Sequence, residues 1–188
     1  MSEPASSSSI KSTLIDITNC IGCRACQVAC KQWNDKDGEQ TELLPELGFQ
    51  NPAVLSAKTF TLISFHEFSD ETAPGGLRNS FVMRRCLHCL SPACVSACPT
   101  TALFRQEDGP VVYDADKCIG CRYCMLACPF QAPTYEWDKR SPVVKKCTMC
   151  ASRVLAGKTT ACAEICPTGA TKFGDREALL QEARDRIK

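Results

Sequence analysis

The stretch Cys20-Ile-Gly-Cys23-Arg-Ala-Cys26-Gln-Val-Ala-Cys30 returns as Cys118-Ile-Gly-Cys121-Arg-Tyr-Cys124-Met-Leu-Ala-Cys128, with three substitutions. Two stretched versions accompany it. These are Cys86-x2-Cys89-x4-Cys94-x3-Cys98 and Cys147-x2-Cys150-x11-Cys162-x3-Cys166, and both continue Pro-Thr-x-Ala. The four quartets use all 16 cysteines of the 188 residues and leave none over, so the chain is an internally repeated protein whose unit is a four-cysteine motif.

The spacing carries chemistry. Three thiolates at x2 intervals wrap a tight loop around one compact inorganic core, while the fourth cysteine, three residues on, has entered a helix and faces away. It therefore ligates a different cluster, as in two-cluster ferredoxins. Pro99, Pro129 and Pro167 follow the fourth cysteine of three quartets, remove a backbone donor and turn the chain out of the motif. Gly22 and Gly120 stand between the first two ligands, where the backbone passes close to the core and a side chain would collide.

Zinc is the competing reading. Paired Cys-x2-Cys knuckles around one tetrahedral ion would suit the fourth quartet taken alone. Three cysteines in seven residues, repeated and followed by proline, favour iron–sulfur. Disulfides suit neither the regular spacing nor a start that is polar, without an apolar signal segment or twin arginine, and no stretch is long and apolar enough to span a membrane. A reducing, cytoplasmic compartment is expected. Because cysteine supplies a large part of the 44% apolar fraction, the conventional core is thin and bound metal must supply much of the folding free energy.

The formal net charge of +1, without a basic run, argues against a nucleic-acid binder. Four cubane clusters, each contributing roughly −2, would bring the loaded chain to roughly −7. Arg24, Lys31, Lys117, Arg122, Lys145 and Lys146, all close to cysteines, are then candidate counter-charges.

Through residues 20–35, 50–58, Cys86-Leu-His-Cys89, Cys147-Thr-Met-Cys150 and 166–174, the chain resembles the four-cluster ferredoxin-like electron-transfer subunits of molybdenum and tungsten bis-pterin oxidoreductases, most nearly those of formate dehydrogenases. The resemblance implies an α+β fold of two bacterial ferredoxin-like 2[4Fe–4S] units with small β-hairpin insertions, and a non-catalytic role. It implies four [4Fe–4S] clusters, with ligands exchanged between paired quartets. One cluster takes Cys20, Cys23, Cys26 and Cys166, and its mate Cys147, Cys150, Cys162 and Cys30. The inner pair takes Cys86, Cys89, Cys94 and Cys128, then Cys118, Cys121, Cys124 and Cys98. It also implies a molybdenum or tungsten catalytic subunit as partner. Similar subunits serve tungsten aldehyde oxidoreductases, sulfur-compound reductases and hydrogenases. Related membrane-bound subunits carry a C-terminal anchor, and its absence here points to an acceptor off the membrane: a flavoprotein, a soluble ferredoxin or further copies of this chain.

The expected organisation is a disordered Ser-rich tail at 1–13, an outer ferredoxin unit at 14–30 plus 143–174, an insertion at 31–79 that clusters do not require and a partner could use, an inner unit at 80–142, and a helix at 175–188 capped by Asp175 with Leu179, Ala183 and Ile187 on one face. Leu14 to Ile17, Thr59 to Phe68 and Asn79 to Arg84 read as strands, the latter two a hairpin about Pro74-Gly75-Gly76, and Phe104 with Val111 to Tyr113 as a second hairpin about Asp108-Gly109. His88 lies between two cysteines, but Rieske ligation needs two histidines on one iron and His66 is remote. Trp33, Tyr123, Tyr135 and Trp137 read as packing residues beside the clusters. No Walker loop, dinucleotide fingerprint or nucleophile elbow is present, so substrate chemistry belongs on another chain.

Overall fold

The computed structural model describes residues 9–44 and 48–187. Residues 1–8 of the tail expected at 1–13 lie outside these residues. The architecture is α+β, with four two-stranded antiparallel sheets and six helices among the described residues.

The sheets explain how distant cysteines meet. Strand β1 (Lys11–Ile15) pairs with β8 (Thr171–Asp175), Ile15 opposite Thr171, so the loop leaving Cys166 lies beside the loop entering Cys20. Strands β4 (Leu103–Arg105) and β5 (Val111–Tyr113) form the hairpin that brings Cys98 back to Cys118. The hairpin of β2 (Thr61–Ser69) and β3 (Leu77–Arg85) lies between the first two quartets. The short pair β6 (Thr134–Tyr135) and β7 (Val144–Lys145) lies between the last two. Each sheet thus closes a loop between the end of one quartet and the start of another.

Helices α1 (Ala25–Trp33), α2 (Ala93–Ser96), α3 (Tyr123–Ala127) and α5 (Ala161–Glu164) each carry the third cysteine of a quartet near their start. The fourth cysteine is helical only in α1; Cys128 caps α3, and Cys98 and Cys166 lie beyond their helices, where the following proline cannot continue a helix. Helix α1 packs on α5 and α2 on α3. Helix α4 (Ala151–Leu155) fills the long spacer of the fourth quartet. Helix α6 (Arg176–Ile187) packs on β1 and β8 through half-buried Leu179 and Ala183, while Ile187 is exposed.

Several expectations change. Lys11 to Thr13 are strand, not tail, because β8 offers a full antiparallel register. Strand β3 starts at Leu77 and runs across the expected 79/80 boundary, since its pairing with β2 is continuous. Asp175 ends β8, and its carboxylate goes to Lys11 and Ser9 instead of to the helix N-terminus. The hairpin β2–β3 is also part of the cysteine scaffold: Thr61 to Ser64 are buried, and Ile63 and Met83 pack with Cys26 and Cys162. Only its far end projects, with Phe68 and Leu77 exposed.

Gly109 shows how closely the parts interlock. It has φ +117°, and a Cβ there would lie 2.7 Å from the carbonyl oxygen of Lys11, beside the bond from the Lys11 amide to the Asp108 carbonyl. Gly109→Ala is expected to cost about 1–3 kcal/mol, read as a fall of several degrees in the thermal midpoint of the loaded protein. An unchanged midpoint would show that the hairpin and β1 are not locked together. Gly22 (φ +67°) has a different constraint from the expected one, because a Cβ would meet the Phe81 ring at 2.8 Å. Among the described residues no helix is long and apolar enough to cross a membrane.

Candidate metal centres

Four cavities are each lined by four cysteines. The first is lined by Cys20, Cys23, Cys26 and Cys166. The second is lined by Cys30, Cys147, Cys150 and Cys162, the third by Cys86, Cys89, Cys94 and Cys128, and the fourth by Cys98, Cys118, Cys121 and Cys124. In every case three cysteines come from one quartet and the fourth from another. All sixteen are free thiols.

The cavities lie in a defined order. Cys26 and Cys162 share one buried group, which joins the first cavity to the second. Cys30 and Cys147 pack with Cys86 and Cys128, joining the second to the third. Cys94 packs with Cys98, Cys118 and Cys124, joining the third to the fourth. Strand β3 leads directly into Cys86 and β7 into Lys146 and Cys147 at the central junction, while β1–β8 lines the first cavity and β4 the fourth. Helix geometry sets the step between the first two cavities: Cys26 and Cys30 are four residues apart on α1, so they share a face and lie about 6 Å apart along its axis.

Donors surround the sulfurs. The Pro-Thr-x-Ala sequences repeat a local device. The Thr100 hydroxyl lies 3.7 Å from Cys98 Sγ and the Thr168 hydroxyl 3.8 Å from Cys166 Sγ. Burial raises both thiols, yet backbone N–H groups, from Leu103 for Cys98 and Thr171 for Cys166, together with these hydroxyls bring them below the usual value. Cys30, which has no such loop, is served by Thr61 of β2 and Asn34 of the α1 C-terminus, each 3.6 Å from its Sγ. Tyr135, read from the sequence as packing, also lies 3.8 Å from Cys118 Sγ through its hydroxyl.

The central junction holds charge. Lys146 is fully buried and donates to the backbone carbonyls of Cys147, at 2.9 Å, and Val111, with its Nζ 3.8 Å from Cys86 Sγ. Arg85 is buried and donates to Cys162 Sγ at 3.2 Å, to the Cys86 carbonyl and to Thr13. Burial works against the Arg85 charge, but Cys147, Cys162, Cys86 and Cys30 more than offset it. His88 is buried; its Nδ1 accepts the Val111 amide at 3.0 Å, which leaves Nε2 to carry the proton toward Cys147 Sγ at 3.5 Å. Burial, then Lys146 and Arg85, push its pKa well down and keep the ring neutral.

The other cations beside cysteines go elsewhere. Lys31 pairs with Glu39, Lys117 with Asp114 and Lys145 with Glu136, while Arg24 and Arg122 stack over Phe65 and Trp137. Trp33 lies under Arg153, and Tyr123 is exposed. Of the proposed counter-charges only Lys146 reaches a sulfur. Arg85 was missed, although a basic residue stands directly before both Cys86 and Cys147.

The donor set suits an iron–sulfur core. Burial, with repulsion from Cys162, Cys20 and Cys23, pushes the Cys26 thiol up to about 12. Burial, followed by repulsion from Cys147, does the same for Cys30, and burial with Cys118 and Cys121 takes Cys124 to about 11. Such thiols ionise at neutral pH only against a cationic core.

Comparison with known proteins gives two family matches: a 4Fe-4S dicluster domain over residues 77–176 and a 4Fe-4S binding domain over residues 17–33. The chain is 41% identical over 177 residues to the nitrate-inducible formate dehydrogenase iron-sulfur subunit of Escherichia coli, covering 93% of this chain and 57% of that protein. It is 38% identical to the formate dehydrogenase iron-sulfur subunit of Haemophilus influenzae, covering 93% and 54%. A third relative, the hydrogenase-2 operon protein HybA of Escherichia coli, is 36% identical over 185 residues, covering 93% and 54%. The chain thus spans little more than half the length of these relatives.

Proposed function

The chain belongs to the 4Fe-4S dicluster domain family, and from that premise we propose that it is an electron-transfer subunit holding four [4Fe–4S] clusters in line, one in each cysteine-lined cavity. The observation that carries this reading is the linear order of four cavities, each with a complete set of four thiols. When bound, such clusters supply one-electron oxidation and reduction. The chain's own residues hold them, exclude water and set their surroundings. Thr100, Thr168, Thr61, Asn34 and Tyr135 direct donors at sulfur, and the apolar walls, such as Ile63 and Met83 in the first cavity and Leu103 and Val144 in the fourth, keep solvent out. The relatives are named as iron-sulfur subunits, and the role proposed for this chain is likewise non-catalytic.

The paired exchange of the fourth cysteine supports two ferredoxin-like units joined at Arg85, His88 and Lys146, with the β2–β3 hairpin built into the first. The partner proposed is the catalytic subunit of a formate dehydrogenase, the enzyme named for the relatives of highest identity quoted above, with molybdenum or tungsten bis-pterin chemistry as the resemblance implies. The HybA similarity supports a second reading, the same wire in a hydrogenase complex.

Metal content tests the assignment. The anaerobically purified chain is expected to be brown and to contain about sixteen iron and sixteen acid-labile sulfide atoms. A colourless protein containing zinc would overturn it, and about half that iron would reduce the array to two clusters.

A further inference from the structure

The two central cavities differ from the terminal ones in one respect that the cysteine pattern does not contain. Two cations are buried between them, and they are placed crosswise. Arg85 precedes Cys86 of the third cavity but reaches Cys162 of the second; Lys146 precedes Cys147 of the second but lies against Cys86 of the third. Among the described residues neither has a carboxylate partner. A buried cation without a counter-ion is strongly unfavourable, so the compensating negative charge must come from the cavities themselves. His88 adds a neutral donor on Cys147 at the same junction. In the first and fourth cavities the side chains hydrogen-bonded to sulfur among the described residues are neutral, Thr168, Thr100 and Tyr135, and Arg24, which also lines the first cavity, gives its guanidinium to the Phe49 carbonyl. The arginines near those ends, Arg24 and Arg122, are spent on aromatic rings.

We propose that Arg85 and Lys146, assisted by His88, make the two central clusters the high-potential pair of the array, so that electrons entering from either end collect at the junction. This rests on the electron-transfer reading above. The physical cause is electrostatic. Each electron taken up adds one negative charge to a cavity, and a fixed cation close to its sulfurs, in surroundings with little water, favours that added charge. Two adjacent sites of this kind hold the two electrons of a two-electron oxidation performed on a partner.

The test is an anaerobic titration of the cluster-loaded full chain with dithionite and viologen mediators, followed by electron paramagnetic resonance, with iron and sulfide counted in each sample. Arg85→Gln and Lys146→Gln are expected to lower the reduction equilibrium constant of the central clusters about tenfold, a shift of about 59 mV for a one-electron couple. Signals of the terminal clusters should stay in place. Arg85→Lys and Lys146→Arg, which keep the charge, should restore most of the loss. Gln variants with full iron and sulfide but wild-type potentials would overturn the proposal. If those variants fail to assemble, the wild type decides: its first two electrons should give a spin-coupled signal from neighbouring clusters, and two uncoupled signals at that stage would overturn it. A wild-type chain that takes up no clusters defeats the electron-transfer reading itself, and this proposal with it.

Discussion

Anaerobic removal of iron is expected to unfold the chain, not merely to bleach it. Three of the four helices that carry a cysteine have only four or five residues, too short to persist alone, and the described sheets are all two-stranded and marginal by themselves. Among the described residues each buried hydrophobic group contains cysteines: Cys26 and Cys162, then Cys30, Cys86 and Cys147, then Cys94 and Cys124. The purely aliphatic interior is small, chiefly Leu62, Ile63, Leu103, Val111 and Val144.

Loss of the clusters acts on this frame in two ways. It removes the ties between distant segments, since each cavity draws its fourth cysteine from another quartet. It also leaves Arg85 and Lys146 buried without compensating charge, a penalty of several kcal/mol for each. Against a total stability of about 5–15 kcal/mol, these losses leave no cooperative fold. Chelation should therefore collapse the far-ultraviolet circular dichroism toward that of a coil and abolish the thermal transition. A stripped chain with an unchanged spectrum and midpoint would contradict this and would show that the small aliphatic core suffices.

The quartets were legible because cysteine spacing is a local signal, and the hairpins because strand alternation and Pro-Gly-Gly or Asp-Gly turns are local too. What escaped the sequence was long-range. Thr61 and Arg85 stand at the root of the β2–β3 hairpin, which no cluster motif includes, yet Thr61 donates toward Cys30 and Arg85 toward Cys162, 77 positions away. His88 could be judged as a ligand but not as a donor, since its role depends on the Val111 amide holding Nδ1. Asp175 has the composition of a helix cap, but Lys11 competes for it across the β1–β8 sheet. The Pro-Thr-x-Ala repeat was visible, and its threonine was readable as a sulfur donor had its recurrence after Cys98 and Cys166 been given weight.

Ligand exchange leads to the second large effect. Cys30 is buried on α1, one helical turn beyond Cys26, and lines the second cavity with Cys147, Cys150 and Cys162. Cys23, from the same quartet, lines the first. Cys30→Ser replaces a thiolate with a weaker ligand while Thr61 and Asn34 remain poised as donors. It should therefore alter or abolish the paramagnetic resonance signal that Cys150→Ser also alters, although the two positions lie 120 residues apart. If the cluster is lost entirely, iron should fall from about sixteen atoms to about twelve. The signal changed by Cys23→Ser should persist in both variants. A change confined to the Cys23 signal would mean that the first quartet keeps all four of its own cysteines. In that case the cavities would not be the ligand sets, and the path from the first cluster to the second could not run along α1.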